Sequence, residues 1–418
     1  LIKTKSKNQF PLKDLLTKYG SQPVISSAGK DYTYWQLFKL VQRATKRFDN
    51  NSEKIIKLTE NDPLKFITDF LAIVQTENYP LIGSFITDQF DLKIKDLTTE
   101  TFFFGLTSGT TGEPKVYRRN WLSWKKGFDC CRKLFNLDAV QSIATSSPLT
   151  TSLGLHTLML AIYLGKKFYL IDNIHQLNSL SGDVCLFSVP TFLLQSSNNH
   201  NIPPNNLRTI FLGGGTLTSQ GIKKIKQQFS QAKLFEFYGS SETSFISWQD
   251  ITNGKFKFSA GQLFPNTQVS ISLQQEIIVT SPYLFSGYLA QTPPKNWVTD
   301  DLGFLKKNHL FLLGRKADLI DHGGNKVAPL EIETAASDLC QKCVAFGVED
   351  QVYGQKIALL MIKPITKKQL QKKLAQRLEK FKCPNIYLVT NEIPLTSNLK
   401  ISRSQLAQAY RNGEYDEI

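Results

Sequence analysis

Thr107-Ser-Gly-Thr-Thr-Gly-Glu-Pro-Lys115 is the stretch that decides how this chain is read. Hydroxyl side chains, two glycines and a lysine crowd into nine residues. Glycines let a backbone approach an anion closely, hydroxyls and amides donate hydrogen bonds to it, and a lysine adds a mobile positive charge. Phe102-Phe-Phe-Gly-Leu106, just before it, is short, apolar and aromatic, which predicts a buried strand. A strand feeding such a loop is an arrangement for cradling phosphate. It is not the Walker A pattern, since no Gly-Lys-Ser/Thr closes it and Pro114 precedes the lysine. A plain surface turn would share the composition, so the flanking chain has to decide.

At 418 residues the chain is long for one domain and comfortable for two or three. Apolar residues make up 41% and charged residues 20%, values that fit a globular protein with a real core. Helix-like and strand-like segments alternate: Pro63 to Val74 as helix, Tyr79 to Ile82 as strand, Trp121 to Leu134 as helix. Strand-like runs follow at Lys167 to Ile171, Val184 to Ser188 and Thr209 to Leu212, then a helix at Ser219 to Phe229. Alternation of this kind argues for an α/β fold of parallel sheets covered by helices. Gly213-Gly-Gly215 directly follows a strand, and the carboxyl end of a strand is where an open α/β sheet usually binds its ligand. The longest apolar run, around Leu153 to Leu164, is broken by Gly154 and His156 and is too short to span a bilayer. His156 on that helix reads first as a packed or surface residue. No basic-then-apolar leader opens the chain, so a cytoplasmic location is expected. Six cysteines do not make a disulfide scaffold at this size. Cys340-Gln-Lys-Cys343 lacks the second pair a zinc site needs and fits a helix end running into the strand Val344 to Val348.

The stretch Thr107 to Lys115 resembles the signature of the AMP-forming acyl-adenylating enzymes, a superfamily that includes acyl-CoA synthetases, luciferases and peptide-synthetase adenylation domains. Further matching stretches follow in the family's order along nearly the whole chain. The resemblance implies that Thr107, Ser108, Gly109, Thr110, Thr111 and Gly112 cradle ATP phosphates, with Lys115 among the catalytic residues. It places Gly214 and Gly215 against the adenine and the acyl group. Tyr238-Gly-Ser-Ser-Glu242 resembles the family's Tyr-Gly-x-Thr-Glu. There Tyr238 and Gly239 would meet adenine, the Ser241 hydroxyl a phosphate oxygen, and the Glu242 carboxylate Mg²⁺ on the ATP phosphates. Trp297-Val-Thr-Asp-Asp301-Leu-Gly resembles Trp-x-x-Thr-Gly-Asp-Leu-Gly, with Asp300 at a glycine position and Asp301 the candidate for the ribose hydroxyls. Two oxygens of one carboxylate can accept from a vicinal diol. Arg315 would help hold ribose. Gln275 also stands where a glycine is usual, and Thr151 where the family often carries the His of a Pro-Leu-x-His stretch.

The resemblance further implies a large N-terminal ATP- and acyl-binding domain, residues 1–315, and a small mobile α+β domain, residues 316–418, turning about a pivot near Ala317. Gly323 and Gly324 would lie beside the pantetheine arm of CoA. Pro394-Leu-Thr-Ser-Asn-Leu-Lys400-Ile-Ser-Arg403 looks like Pro-x-Thr-x-x-Gly-Lys-x-x-Arg with Leu399 at the glycine, which makes Lys400 the adenylation lysine. The expected activity is ligation of a carboxylic acid, fatty or aryl, to CoA through an acyl-adenylate, with ATP and Mg²⁺. Loading of a carrier-protein thiol and a catalytically silent binding protein are the rivals. The net charge of +15 would suit a nucleic-acid partner, yet the lysines are dispersed and no nucleic-acid motif accompanies them. ATP, pyrophosphate and CoA are polyanions that a positive field also attracts. No nucleic acid and no transmembrane segment are expected; the pattern leaves room for a homodimer.

Overall fold

The computed structural model describes residues 10–48, 55–60, 62–76, 78–83, 101–107, 115–195, 206–215, 217–254, 259–289, 291–395 and 401–418. Six strands run parallel side by side, in the spatial order Pro23–Ser27, Lys167–Leu170, Ser142–Thr145, Val184–Ser188, Leu207–Leu212 and Lys233–Ser240. Every residue of Ser142–Thr145 and of Val184–Ser188 is buried, as a parallel sheet covered on both faces requires. Beyond Lys233–Ser240 the same sheet turns antiparallel through Ser244–Asp250, Ser259–Leu263, His309–Arg315, Trp297–Lys306, Glu276–Thr280 and Gln268–Ile271. Lys30–Thr33 closes the opposite edge, giving thirteen strands. The expectation of parallel sheets thus describes one half. The other half comes from antiparallel connections, most of them short hairpins.

The antiparallel half curls strongly. Tyr238 and Asp301 lie on strands with three others between them in the sheet order. A flat sheet would hold them roughly 19 Å apart, four spacings of about 4.8 Å, yet the Tyr238 hydroxyl donates to Asp301 Oδ2 at 2.7 Å. Ile246, Ala260, Ile277, Val279, Leu284 and Leu310 fill the inside of the curl.

A second sheet orders Ile55–Leu58, Tyr79–Ile82, Phe103–Thr107 and Lys115–Arg119, the last two as a hairpin with Thr107 opposite Lys115. The helix Pro63–Gln75 starts where Asp62 caps the Lys65 amide and Pro63 presets the first turn. Its Phe66, Ile67, Phe70, Leu71 and Ile73 are fully buried, each contributing roughly 1.5–3 kcal/mol of apolar transfer. Phe102, Phe103, Trp121, Trp124 and Phe128 continue that core through edge-on and tilted ring contacts.

The remaining chain forms a six-stranded sheet. Asn325–Val327, Ile320–His322, Gly354–Ile362, Ile386–Val389 and Asp416–Glu417 lie in order, and Lys342–Asp350 pairs with Gly354–Ile362. Helices Pro329–Ala336, Lys367–Ala375 and Arg403–Arg411 accompany it. The helix Lys367–Ala375 is followed by a separate tight turn at Lys380–Lys382. Arg377 turns aside there to bind Asp338 and the Ala335 carbonyl. Arg403, first residue of the last helix, bonds Asp318 and Glu333, each at 2.7 Å, and the Ala345 carbonyl at 3.0 Å. Among the described residues no helix is long and apolar enough to cross a membrane.

Thr151 proves to be a helix cap. Its hydroxyl accepts from the Gly154 amide and donates to the Pro148 carbonyl, which starts the helix Ser152–Leu164. A Cβ on Gly154 would drive into the Pro148 and Ser147 carbonyls, backbone that has nowhere to go. An exposed helical Gly→Ala change usually stabilises by about 1 kcal/mol. Here the sign reverses: Gly154→Ala should cost about 1–3 kcal/mol, measured as a lower Tm and a lower denaturant midpoint with unchanged m-value.

Candidate active site

The hairpin Phe103–Thr107/Lys115–Arg119 holds the two ends of the glycine- and hydroxyl-rich loop side by side. Ser108, Gly109, Thr110, Thr111 and Gly112 lie outside the described residues; Thr107 and Lys115 frame them. Tyr117 must cross Gly105 for the hairpin to close, and any Cβ at Gly105 would occupy the Tyr117 ring. On its far side the strand Lys115–Arg119 binds the segment Ser286–Leu289. The Arg118 amide donates to Gly287, the Ser286 amide to Arg118 and the Leu289 amide to Val116, with a bridge between Tyr117 and Tyr288.

That pairing delivers Tyr288 to the mouth of the loop. Its hydroxyl donates to Glu242 Oε1 at 2.8 Å, it interacts with the Thr107 hydroxyl, and the Lys115 ammonium stands 5.7 Å from its ring centroid. Burial and the Glu242 charge push the Tyr288 phenol well up, so it stays a donor at all ordinary pH. Glu242 is further fixed by the Phe285 amide, which donates to its carbonyl at 2.7 Å. Among the described residues no cation pairs with the Glu242 carboxylate. One oxygen is oriented by Tyr288, and among the described residues no hydrogen bond reaches the other; a carboxylate is a donor of the hard oxygen type that suits Mg²⁺. Thr107, Lys115, Ser241 and Glu242 are therefore brought together.

Tyr238, Asp301 and Arg315 form a second group. Asp301 sits opposite Arg315 in the strand register, with Arg315 Nε 3.7 Å from Oδ1. The Asp301 carboxyl is raised above the usual range by burial, against which the Tyr238 hydrogen bond and Arg315 work. Gly239 lies at a bulge where a Cβ would overlap the Ser244 carbonyl, and Ser244 itself is left-handed at φ 56°. Gly213 faces the Phe237 ring at a distance that excludes a side chain; Gly214 is left-handed at φ 75°, and Gly215 meets only Pro190. Gly213 continues the strand Leu207–Leu212, whose neighbour is Lys233–Ser240, so this glycine turn borders Tyr238. Gln275 adopts φ 64°, the conformation that a glycine would take freely.

Arg119 and Tyr117 were not singled out in the sequence. Both are buried. Arg119 donates to the carbonyls of Tyr283 at 2.6 Å and Ser241 at 2.7 Å, and to Ser244 Oγ at 2.8 Å. Burial lowers its guanidinium to about 10, opposed by Tyr117 and Glu242. Tyr117 interacts with the Ser152 and Ser241 hydroxyls. The available signal was Arg118-Arg119 itself. Consecutive strand residues face opposite sides, so in a strand buried on both faces both guanidinium groups need partners.

Gly323 and Gly324 form the two-residue turn between Ile320–His322 and Asn325–Val327, at φ 60° and 79°. Two left-handed residues in succession make a type I′ hairpin, and among the described residues nothing lies within 4 Å of a Cβ built at Gly324. Their contacts stay within the six-stranded unit, where the Gly323 amide meets the Tyr353 carbonyl. Lys400 lies outside the described residues.

The sequence pattern of the AMP-binding enzymes matches residues 37–289, and that of the AMP-binding enzyme C-terminal domain matches residues 331–400. A Staphylococcus aureus (strain COL) protein, VraA, named provisionally as a long chain fatty acid-CoA ligase, is 31% identical over 336 residues, 74% of this chain and 71% of its own. The 2-succinylbenzoate--CoA ligase of Listeria innocua is 28% identical over 338 residues, 73% of this chain and 69% of its own. In structure, the O-succinylbenzoate coenzyme A synthetase of Bacillus subtilis, solved with ATP and a magnesium ion, superposes with a TM-score of 0.77 at 20% identity. It covers 94% of this chain and 98% of its own.

Asp301 carries a stability test. Its folded pKa is raised, so the folded state holds the proton longer; the associated stability is full at low pH and lost as pH rises through the folded value. At pH 7 the buried carboxylate is a net cost. Asp301→Asn keeps an acceptor for Tyr238 and should raise Tm at pH 7, with the gain shrinking as pH falls into the carboxylate range. Thermal melts of both proteins from pH 4 to pH 8 measure it; an equal gain at every pH would contradict the shift.

Proposed function

The chain belongs to the AMP-binding enzymes, and we infer from this that it is an ATP-dependent carboxylic acid–CoA ligase working through an acyl-adenylate, with release of AMP and pyrophosphate. The observation that carries the reading is the convergence of Thr107, Lys115 and Glu242 on Tyr288 at the mouth of the phosphate loop, with Ser241 beside Glu242 against Tyr117. The acid's carboxylate attacks the α-phosphorus of ATP, the bond to the β-phosphate oxygen breaks, and pyrophosphate leaves. No base is needed, because the nucleophile is already an anion. The residues position and neutralise: loop amides and hydroxyls with Lys115 at the phosphates, Ser241 at a phosphate oxygen, Lys400 where charge develops. Asp301, held by Tyr238, takes the ribose hydroxyls with Arg315 beside it, and Gly214, Gly215 and Gly239 leave room for the adenine. Glu242 is the residue that would hold Mg²⁺, whose chemistry is to neutralise the triphosphate charge.

CoA then attacks the acyl-adenylate through its thiol and AMP departs. We assign residues 1–315 to ATP and acid, and residues 316–418 to a unit that turns about Ala317. That turn withdraws Lys400 and brings Gly323 and Gly324 to the pantetheine arm, where the open space above Gly324 lets a chain pass. A fatty or aryl acid is the proposed substrate, in keeping with the names of the relatives and with the aromatic surroundings of Gly213. The partners are thus a small-molecule acid, ATP and CoA, used in the cytoplasm.

Pyrophosphate release on mixing the protein with ATP, Mg²⁺, CoA and a panel of carboxylic acids tests the reading; turnover of amino acids alone would overturn it. Glu242→Gln should raise the Mg²⁺ concentration needed by at least about 10-fold. Lys400→Ala should slow adenylate formation by on the order of 10²–10³-fold while leaving CoA attack on a supplied acyl-adenylate nearly intact. Equal loss in both half-reactions, with folding intact, would remove the division of labour between two domain orientations.

A further inference from the structure

His156 is a buried polar group that none of the assignments above uses. It lies on the helix Ser152–Leu164 with 7% of its surface exposed. The rings of Phe128, Phe245 and Trp124 surround it edge-on, with centroids at 4.9, 5.3 and 5.4 Å. Among the described residues its Nδ1 has no hydrogen-bond partner. A leucine would fill such a box without leaving a nitrogen unpaired, and buried polar atoms without partners are rare.

Its surroundings place it. Ser152 is one turn earlier on the same helix face, and Ser152 and Ser241 both interact with Tyr117. Phe245 packs on Phe237 at 4.8 Å, and Phe237 is the ring that covers Gly213. His156 therefore lies beneath the Ser241–Glu242 turn and behind the glycine turn. If those turns hold the adenylate, the body of the acid must enter this region. Burial, with Arg119 adding to it, lowers the imidazole to about 3, so the ring is neutral at pH 7 and its Nδ1 either donates or accepts according to the tautomer.

We infer that His156 is a specificity residue that hydrogen-bonds a hydroxyl carried on the body of the acid, remote from its carboxylate. A hydroxyl gives and accepts, so it satisfies either tautomer. A plain hydrocarbon acid leaves Nδ1 unpaired, and a site built to bond a polar group discriminates against the analogue that lacks it. The inference rests on the acid–CoA ligase reading.

The test compares kcat/KM, by pyrophosphate release, for pairs of fatty and aryl acids that differ only by a remote hydroxyl, in wild type, His156→Leu and His156→Asn. Wild type should favour the hydroxylated member of at least one pair. His156→Leu should cut that ratio by about 10-fold or more, and His156→Asn should restore part of it. An unchanged ratio in His156→Leu, or preference for the hydrocarbon in every pair, overturns the inference while the ligase reading stands. If His156→Leu does not fold, His156→Met against His156→Asn decides by the same ratio. No turnover of any acid rejects the ligase reading itself, and this inference falls with it.

Discussion

The guanidinium of Arg119 is the contact on which the geometry of the site depends. It sits on the strand that leaves the glycine- and hydroxyl-rich loop and reaches the Ser241 carbonyl, the Ser244 hydroxyl and the Tyr283 carbonyl. Two segments far from it in sequence, Ser241–Ser244 and Tyr283, are thereby fixed to one planar group, whose fork geometry tolerates little displacement. Its partners are neutral oxygens, so a net positive charge remains in the interior. Burial lowers its pKa only to about 10, and it stays charged at pH 7. A buried charge is costly unless hydrogen bonds satisfy it. Here the cost leaves a fixed cation directly under the turn that presents Ser241 and Glu242, where polyphosphate would bring negative charge.

Asp301 shows the same exchange of stability for function with opposite sign. Folding places its carboxylate where water no longer solvates it, and a tyrosine hydroxyl and a loosely held arginine compensate in part. An acceptor kept dry and aimed by neighbours needs little reorganisation when a diol arrives. Stability lost at such a group is the counterpart of affinity gained.

Much of the parallel half of the large sheet, the strand entering the loop and the helices at Pro63, Trp121 and Ser219 were legible, because period and glycine placement are local signals; the return strand Lys115–Arg119 was not. Glu242, Tyr238 and Asp301 were legible by resemblance, yet their contacts were not. Tyr238 reaches Asp301 only because the antiparallel half curls, which is a property of the whole sheet. Tyr288 orients Glu242 only because Ser286–Leu289 pairs with the strand Lys115–Arg119, a long-range pairing that no short pattern encodes. Departures from the family pattern proved uneven. Gln275 accepts the left-handed backbone that glycine would ease, whereas Asp300 lies exposed in an extended strand and needs no such freedom. Thr151 stands at a position associated with a pocket wall and serves instead as a cap.

Arg403 has a consequence for how far Lys400 can travel. Its bonds to Asp318, Glu333 and the Ala345 carbonyl fasten the start of the last helix to the turn at Lys316–Asp318 and to the body of the six-stranded unit. Three peptide units separate Arg403 from Lys400, a tether of at most about 11 Å. Chain geometry alone keeps a residue three peptide units away within that reach of an anchor bound to the Lys316–Asp318 turn. Confinement of that kind sets an effective concentration, which a free ammonium or a lysine on a long loop could match only at far higher abundance. If Lys400 serves the phosphate as proposed above, the arrival of its ammonium there depends on the angle of the unit as a whole, and diffusion of the side chain hardly enters.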